Sequence, residues 1–443
     1  MRPRGTRVAD LSPPRGTGVA CATASAARPG HGPRRAEPPG GPPIIGPVTD
    51  LQTRPAAGRP SAARRAAPAL LGYAAVRALG LLALALWSTA RGGSAHSLLT
   101  ARWDSLWYAR VAASGYGYEV RLPGGDLHSD LAFFPLLPWL ERLGAALTPL
   151  SYADAGLAVS LLGSLAAAWG IFAVGDRVAG RRAGICLVLL WAVLPVGIVQ
   201  SMAYSESLFT ALAAWSLYAV LVRRWVAAGT LALLAGLTRP VGLAVAAAVW
   251  AAAVTAFVRN RSAAAAAGAP VPVRAPGEGA RLVCGMLLAP LGAAGYVLWV
   301  GHRTGGGLFG YLDVQAGWRN GFDGGRAFAG FVAHQFASFP AALAGLALTV
   351  GVALVIRLYV AGVRQRQPLA LLVYSGLVTA MALGASSYFG SKPRLLLPAF
   401  PLLLPLAAAL AGTRAARSAA VVAALAVAGA PYGAFWLNGS GPP

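Results

Sequence analysis

Long apolar runs, separated by short polar or arginine-bearing segments, dominate the sequence from residue 67 onward. Most of them approach the roughly 20 residues that a helix needs to cross the hydrocarbon core of a bilayer. One short run is separated from the next by Thr238-Arg239-Pro240, which predicts two helices that meet at a break. We therefore expect an all-α polytopic membrane protein with about 11 transmembrane helices. The runs lie at roughly residues 68–90, 155–176, 183–203, 206–222, 226–238, 240–258, 282–301, 330–357, 369–388, 394–412 and 418–437.

Composition supports this class and excludes others. Hydrophobic residues make up 57% of the chain and charged residues only 12%, whereas about 25% of the residues in a soluble domain are charged. The net charge is +23, but the arginines lie in short clusters between apolar runs and not along one face. Nucleic acid is therefore not an expected partner. The three cysteines suggest neither a disulfide framework nor a metal cluster.

The N-terminal segment differs from the rest of the chain. Residues 1–65 contain 11 arginines and many prolines and glycines, with almost no apolar run. Such a segment cannot bury enough apolar surface to fold, and it lacks the apolar stretch of a signal peptide. We expect a disordered cytoplasmic tail, with an over-extended gene start as the alternative, followed by an integral membrane domain at residues 66–443.

The distribution of charge predicts an orientation in the membrane. With the N-terminal tail inside, 26 basic residues fall on the inner side and 11 on the outer side, which agrees with the positive-inside rule. Nine of the eleven acidic residues beyond the tail fall on the outer side, mostly in two segments at roughly 91–154 and 302–329. We expect a multi-pass protein of the plasma membrane with a cytoplasmic N-terminus and an extracytoplasmic active site.

The first outer segment opens with the sequence RWDSLWY at residues 102–108. If this stretch is helical, Trp103 and Trp107 share one stripe, and Asp104 and Tyr108 lie together on the neighbouring face. In one interpretation this is an interfacial helix whose tryptophans lie at headgroup level, with Asp104 hydrated or paired to the preceding arginine. In the other, the tryptophans dock the helix and Asp104 accepts a proton from an acceptor hydroxyl.

Later in the same segment, Asp126, His128 and Asp130 follow at two-residue spacing. An extended backbone would put the three side chains on one face, where they could hold a divalent ion; solvated loop residues are the alternative. The apolar residues 132–139 contain two prolines and make a poor spanning helix. We expect short interfacial or re-entrant helices in this loop and a wall of a lipid-binding groove.

Three further polar motifs interrupt apolar sequence on the predicted outer side. Tyr-Ser-Glu at residues 204–206 lies at the outer end of a helix, and Arg239 interrupts a long apolar stretch, so it needs a partner or a water-filled cavity. Lys392 is the only lysine in the chain and lies two residues before Arg394. This pair suggests a phosphate-binding site, with a chance surface lysine as the alternative.

These motifs, in this order, resemble the PIG-V family, the second mannosyltransferase of glycosylphosphatidylinositol assembly. PIG-V is a membrane glycosyltransferase of the GT-C type, which takes sugars from polyprenyl phosphates. The resemblance covers roughly residues 68–437 and leaves out the tail. It implies a GT-C-like fold, a polyprenyl- or dolichyl-phosphate-mannose donor, an α-mannosyl product and an essential acidic role for Asp104. The composition suggests a bacterium of high GC content, and such cells usually lack glycosylphosphatidylinositol anchors. The resemblance therefore says more about the fold and the donor than about the acceptor.

We therefore expect an inverting mannosyltransferase that acts on a glycolipid or cell-envelope glycan, with membrane lipids as further partners. Asp104 is the expected base, assisted by Glu206 or Asp130; a divalent metal is left open and no other cofactor is assigned. The expected donor-phosphate ligands are Lys392, Arg394 and Arg239. The expected pocket and acceptor residues are Trp103, Trp107, Tyr108, His128, Asp130, Phe134 and Tyr204. A transporter or flippase of lipid-linked sugars, a scaffold protein, and an enzyme of the same architecture that uses another sugar are the alternatives; no internal repeat is evident to favour a transporter.

Overall fold

A computed structural model describes residues 61–266, 277–439 and 441. The predicted tail at residues 1–65 lies outside this range except for its last residues, which belong to the first helix. The helices, in chain order, are α1 (Ala62–Ala90), α2 (Ala95–Thr100), α3 (Asp104–Ser114), α4 (Leu136–Leu147), α5 (Tyr152–Ala179), α6 (Arg181–Ala192), α7 (Ser205–Leu221), α8 (Trp225–Gly236), α9 (Gly242–Ala266), α10 (Glu278–Leu288), α11 (Leu291–Thr304), α12 (Gly310–Gly317), α13 (Arg326–Gln335), α14 (Ala341–Arg364), α15 (Leu369–Gly384), α16 (Lys392–Leu396), α17 (Leu404–Ala411) and α18 (Ala415–Leu437).

Fewer helices than expected can cross a bilayer unaided. Within the described residues, six are long and apolar enough by length and composition: Ala62–Ala90, Tyr152–Ala179, Gly242–Arg259, Glu278–Thr304, Ala341–Arg364 and Ala415–Leu437. A seventh span is formed if Phe389–Leu396 and Phe400–Ala411, bent by 74° at a short break, count as one. Against the expectation of about 11 spans, the described residues thus provide six or seven candidates by length and composition.

The remaining apolar runs form helices, but these are short or broken. α7, α8 and α15 contain 17, 12 and 16 residues, fewer than the roughly 20 of a typical spanning helix. The run expected at 183–203 ends its α-helix at Ala192 and continues, beyond Pro195, as a 3₁₀ turn at Gly197–Ser201. Apolar runs therefore mark buried helices as well as spanning ones.

The first outer segment contains short helices, as expected, together with a small sheet that was not. Strands β1 (Glu119–Arg121) and β2 (Leu127–Ser129) pair antiparallel, with Val120 opposite His128. The all-α expectation therefore needs this one correction. α4 turns Trp139 outward, 54% exposed, which is compatible with a helix lying at a membrane surface.

The core lies between α5, α6, α7, α8 and α9, and small residues let the helices approach closely. A Cβ on Gly163 of α5 would lie 3.2 Å from the backbone nitrogen of Leu208 in α7. Close approach through small residues is typical of helix packing in membranes. The tight contact fixes the start of α7, which carries Glu206, relative to α5.

The predicted inner loops gather at one end of the bundle. Arg65 of α1 pairs with Asp176 near the end of α5 at 2.8 Å, Arg181 donates to the carbonyl of Arg65, and Arg182 donates to that of Thr413. α5 and α7 both run towards this basic end from the end that carries the first outer segment. The side of the membrane that each end faces stays a prediction.

Candidate functional site

Four charged side chains from distant parts of the sequence form one network. Asp104 Oδ2 accepts a hydrogen bond from Arg394 Nη1 at 2.8 Å. The Nε of the same guanidinium lies 3.3 Å from Glu206 Oε1, and that oxygen also pairs with Arg239. The network joins four motifs that the sequence had singled out separately.

Each of these side chains is positioned by a helix end or a helix break. Asp104 is the first residue of α3 and Glu206 the second residue of α7, where the helix dipole stabilises a carboxylate. Arg239 lies between α8 and α9, in the break that Pro240 helps to enforce. Arg394 lies in the short helix α16. In the middle of a long spanning helix these charged side chains would be buried in lipid. Their positions at helix ends and at a helix break avoid this.

Burial within the network follows a gradient. The side chain of Glu206 is 1% exposed and that of Arg394 10%, whereas that of Asp104 is 27% exposed. Buried charges in proteins are retained when they are paired, and Glu206 lies between two guanidinium groups. Asp104 is the carboxylate that a ligand can reach, and Glu206 is placed to hold the arginines.

Two of the expected tyrosines lie beside this network. The hydroxyl of Tyr108 is hydrogen-bonded to Ser205 Oγ at 2.8 Å, and the guanidinium carbon of Arg394 lies 5.2 Å from the ring centre of Tyr204. Both tyrosines are buried. The expectation that Asp104 and Tyr108 share a face is met, since both point towards residues at the start of α7 or in α16.

Trp103 does not belong to the helical stripe that the spacing predicted. It precedes α3 with a φ of 50°, a conformation that residues other than glycine rarely adopt. Its ring lies 3.9 Å from the guanidinium of Arg102. That guanidinium donates to the carbonyls of Leu437 and Gly439, so the partner of Asp104 is Arg394 and not Arg102.

Trp107 and His128 lie in an aromatic cluster away from the ion pairs. Trp107 stacks on Phe133 at 5.6 Å and contacts Trp318 edge-on at 4.9 Å. His128 stacks on the same Trp318 at 4.0 Å. The cluster joins the two outer segments. Phe134, by contrast, is 1% exposed and packs in a separate apolar cluster, so in this structure it is a core residue and not a pocket wall.

The spacing of Asp126, His128 and Asp130 does not produce a metal site. No group of three or more histidine, cysteine or acidic side chains suited to a metal ion occurs in the described part of the chain. Asp126 pairs with Arg319 at 2.6 Å, and Asp130 accepts the backbone N–H groups of Gly117 and Tyr118 at 3.0 and 2.9 Å.

Asp130 is fully buried, and burial raises its pKa, an effect that the two backbone hydrogen bonds oppose. Asp130 directly follows β2, and its hydrogen bonds to Gly117 and Tyr118 fix the segment that leads into β1. Its expected role as a helper of Asp104 therefore receives no contact that would support it.

Lys392 is engaged with backbone and aromatic groups. Its ammonium donates to the carbonyls of Ala382 and Ala385 at 2.9 and 2.7 Å and lies 4.7 Å from the ring of Phe328. A lysine at this place caps the C-terminal carbonyls of α15. The expected phosphate ligands thus separate into Arg394 and Arg239, which lie in the network, and Lys392, which shapes the turn before α16.

Glu141 was not among the expected site residues, although it is the most unusual carboxyl of the outer segment. It lies in α4, outside the candidate spans, with no exposed surface and, among the described residues, no hydrogen-bond partner for either oxygen. A Cβ on Gly156 of α5 would collide with it. Burial raises the pKa of Glu141 to about 9.

An apolar cavity of about 250 Å³ lies between α4, α11 and the end of α8. Pro135 and Trp139 line it, as expected for residues 132–139, together with Tyr116, Leu237, Gly295, Tyr296 and Trp299. The backbone N–H of Leu136 donates to the carbonyl of Leu237 at 3.0 Å, two residues before Arg239. The cavity therefore reaches the end of α8, two residues before Arg239 in the chain.

Comparison with known proteins finds remote likenesses only. No protein-family model matches the chain, and no curated protein matches it significantly. ArnT from Cupriavidus metallidurans, solved with bound undecaprenyl phosphate, superposes with a TM-score of 0.48 at 16% identity, over 80% of this chain and 61% of that chain. The archaeal oligosaccharyltransferase AglB from Archaeoglobus fulgidus, solved with an inhibitory peptide and a dolichol-phosphate, gives a TM-score of 0.43 at 12% identity, over 84% of this chain and 56% of that chain.

The chain spans about three fifths of the length of these two structures. At such scores neither likeness carries an argument about the fold or activity of this chain. The functional argument rests on the network and its surroundings.

Proposed function

We propose that the chain is a membrane-embedded glycosyltransferase of the GT-C type. It transfers a sugar, mannose in the form suggested by the PIG-V resemblance, from a polyprenyl phosphate to a hydroxyl of a glycolipid or cell-envelope glycan. The observation that carries this proposal is the single network formed by Asp104, Arg394, Glu206 and Arg239. In this network a partly exposed carboxylate lies together with two guanidinium groups. Sugar transfer from a phosphate requires a base for the acceptor hydroxyl and cationic groups for the departing phosphate.

Asp104 acts as the base in this reaction. The acceptor oxygen attacks the anomeric carbon, its proton passes to a carboxylate oxygen of Asp104, and the bond between the anomeric carbon and the phosphate oxygen breaks. The electron pair of that bond stays on the phosphate. A single displacement of this kind inverts the anomeric configuration. The 27% exposure of the Asp104 side chain gives the acceptor access to it.

The two arginines stabilise the departing phosphate. Charge develops on the phosphate oxygen as the bond breaks, and guanidinium groups held in a buried setting stabilise such charge strongly. Glu206 pairs with both guanidinium groups and is almost fully buried, so its role is to position them. It is a positioning residue and does not touch the substrate.

The apolar cavity suits the isoprenoid part of the donor. Its walls are almost entirely apolar or aromatic, and it ends at Leu237, next to the segment that carries Arg239. A phosphate on Arg239 with its hydrocarbon chain along Trp139 would place each part of the lipid in a matching environment. A lipid donor also accounts for the absence of a glycine-rich nucleotide loop in the sequence.

A donor panel tests the proposal. The protein in membranes is incubated with radiolabelled polyprenyl-phosphate-mannose, and in parallel with the glucose and arabinose donors, plus a crude lipid and polysaccharide extract. Label in a new product supports a transferase and identifies the sugar. Label that crosses sealed vesicles while still attached to its lipid would support a flippase instead and contradict the proposal.

A further inference from the structure

A second cavity lies at the basic end of the bundle, opposite the Asp104 network. It measures about 490 Å³ and lies between the ends of α5, α7 and α17 and the turn that joins α14 to α15. Arg177 and Arg366 line it together with Gln367, while Leu221 and Leu404 supply apolar wall. Its combination of cationic and apolar lining sets it apart from the almost purely apolar cavity near Arg239.

Neither arginine of this cavity has an acidic partner within the described ranges. Asp176 precedes Arg177 directly but is already paired, since both of its carboxylate oxygens accept from Arg65 at 2.8 Å. Among the described residues, no carboxylate therefore neutralises the positive charge at the cavity.

Gln367 adds a buried donor without a partner. It is 9% exposed, and its side-chain nitrogen forms no hydrogen bond to any described residue. Leaving a buried amide N–H unsatisfied is unfavourable, so proteins seldom retain one without a use. Its backbone is fixed by a hydrogen bond to the carbonyl of Gly362 at 3.1 Å.

The start of α15 also favours the binding of an anion. The helix begins at Leu369, directly after Gln367 and Pro368, and no side chain caps its N-terminus. The positive end of its dipole favours an anion near this place. Two arginines without an acidic partner among the described residues and Gln367, whose side-chain nitrogen is unsatisfied, thus line one cavity beside the start of α15.

We propose that this cavity binds the phosphate of an anionic ligand, with an anionic phospholipid headgroup as its source. Arg177, Arg366 and the Gln367 amide hold the phosphate, and Leu221 and Leu404 contact the first carbons of the lipid. Basic pockets between helices are suited to such headgroups. The proposal does not depend on the glycosyltransferase function, because the cavity lies at the other end of the bundle.

Native mass spectrometry of the full chain in detergent, titrated with phosphatidylglycerol, tests it. The variants are R177Q/R366Q, Q367L, and R414Q/R417Q as the matched control, which removes the same charge at the same end but outside the cavity. Loss of a charge-assisted hydrogen bond predicts an apparent Kd about tenfold higher for R177Q/R366Q. Q367L weakens binding without any change in net charge, whereas R414Q/R417Q binds as the wild type does.

Thermal unfolding without added lipid shows which variants are folded. Equal loss of binding in the two double variants would reduce the effect to general charge attraction and overturn the proposal, as would wild-type binding by folded Q367L. If inorganic phosphate competes at a similar Kd, the cavity binds phosphate but does not require a lipid, and the assignment to a phospholipid headgroup is overturned. No competition by inorganic phosphate supports the lipid.

Discussion

Glu141 predicts a stability that depends on pH in an unusual direction. Its carboxyl is buried in α4 without a hydrogen-bond partner among the described residues, and burial raises its pKa from 4.5 to about 9. The folded protein therefore keeps the proton up to about pH 9, while the unfolded chain loses it near pH 4.5. Unfolding releases a proton in this window, so the free energy of unfolding falls as the pH rises through it.

The size of the effect follows from the shift. Each pH unit inside the window removes about 1.4 kcal/mol of stability, so the loss between about pH 5 and pH 7 is about 3 kcal/mol. Glu141→Gln abolishes the titration while keeping the size of the side chain. The amide brings its own unsatisfied groups, but that cost does not change with pH.

Thermal unfolding of the purified protein in detergent at several pH values provides the assay. We expect the difference in stability between Glu141→Gln and the wild type to grow by about 3 kcal/mol from about pH 5 to pH 7 in favour of the variant. Glu119→Gln, at an exposed position of β1, is the control and shows no such trend. Parallel pH profiles for wild type and Glu141→Gln would refute the reasoning.

Three further outcomes follow from the network and its cavity. Glu206→Gln leaves Arg239 and Arg394 without their buried partner and destabilises the protein by about 3–5 kcal/mol; a change in thermal unfolding below about 1 kcal/mol would contradict the pairing. Asp104→Asn frees Arg394 and lowers the Kd for polyprenyl phosphate, measured by native mass spectrometry; unchanged or weaker binding would show that carboxylate and phosphate do not compete. Trp139→Ala raises the KM for the donor about tenfold at constant kcat, and a loss of kcat alone would place the lipid elsewhere.

The sequence indicated the right motifs for the site but not how they pair. Glu206, Arg239 and Arg394 were noted because charge interrupts apolar sequence, and Asp104 because of its place in the sequence RWDSLWY. Both signals are local. Their contacts join residues as far apart as positions 104 and 394, which no spacing reveals. One interpretation paired Asp104 with Arg102, whereas its partner in the structure is Arg394 of α16.

The same limit explains the misjudged spans and pocket residues. Hydropathy does not reveal where an apolar run bends or ends its helix, so runs that form short or broken helices were counted as full-length spans. Lys392 was read as a phosphate ligand because it is the only lysine in the chain, yet composition does not reveal the carbonyls of α15 that it caps. Glu141 was missed because a carboxyl in a loop is usually solvated, and only packing against Gly156 shows that it is not.

Sugar transfer by Asp104→Asn tests the central claim most directly. The variant and the wild type are incubated in parallel with labelled polyprenyl-phosphate-mannose and the acceptor extract, with Asp313→Asn as a control for an exposed outer carboxylate outside the network. We expect product from the wild type and from Asp313→Asn, and none from folded, membrane-inserted Asp104→Asn. Equal product from Asp104→Asn would remove this carboxylate from the chemistry and contradict the proposed site.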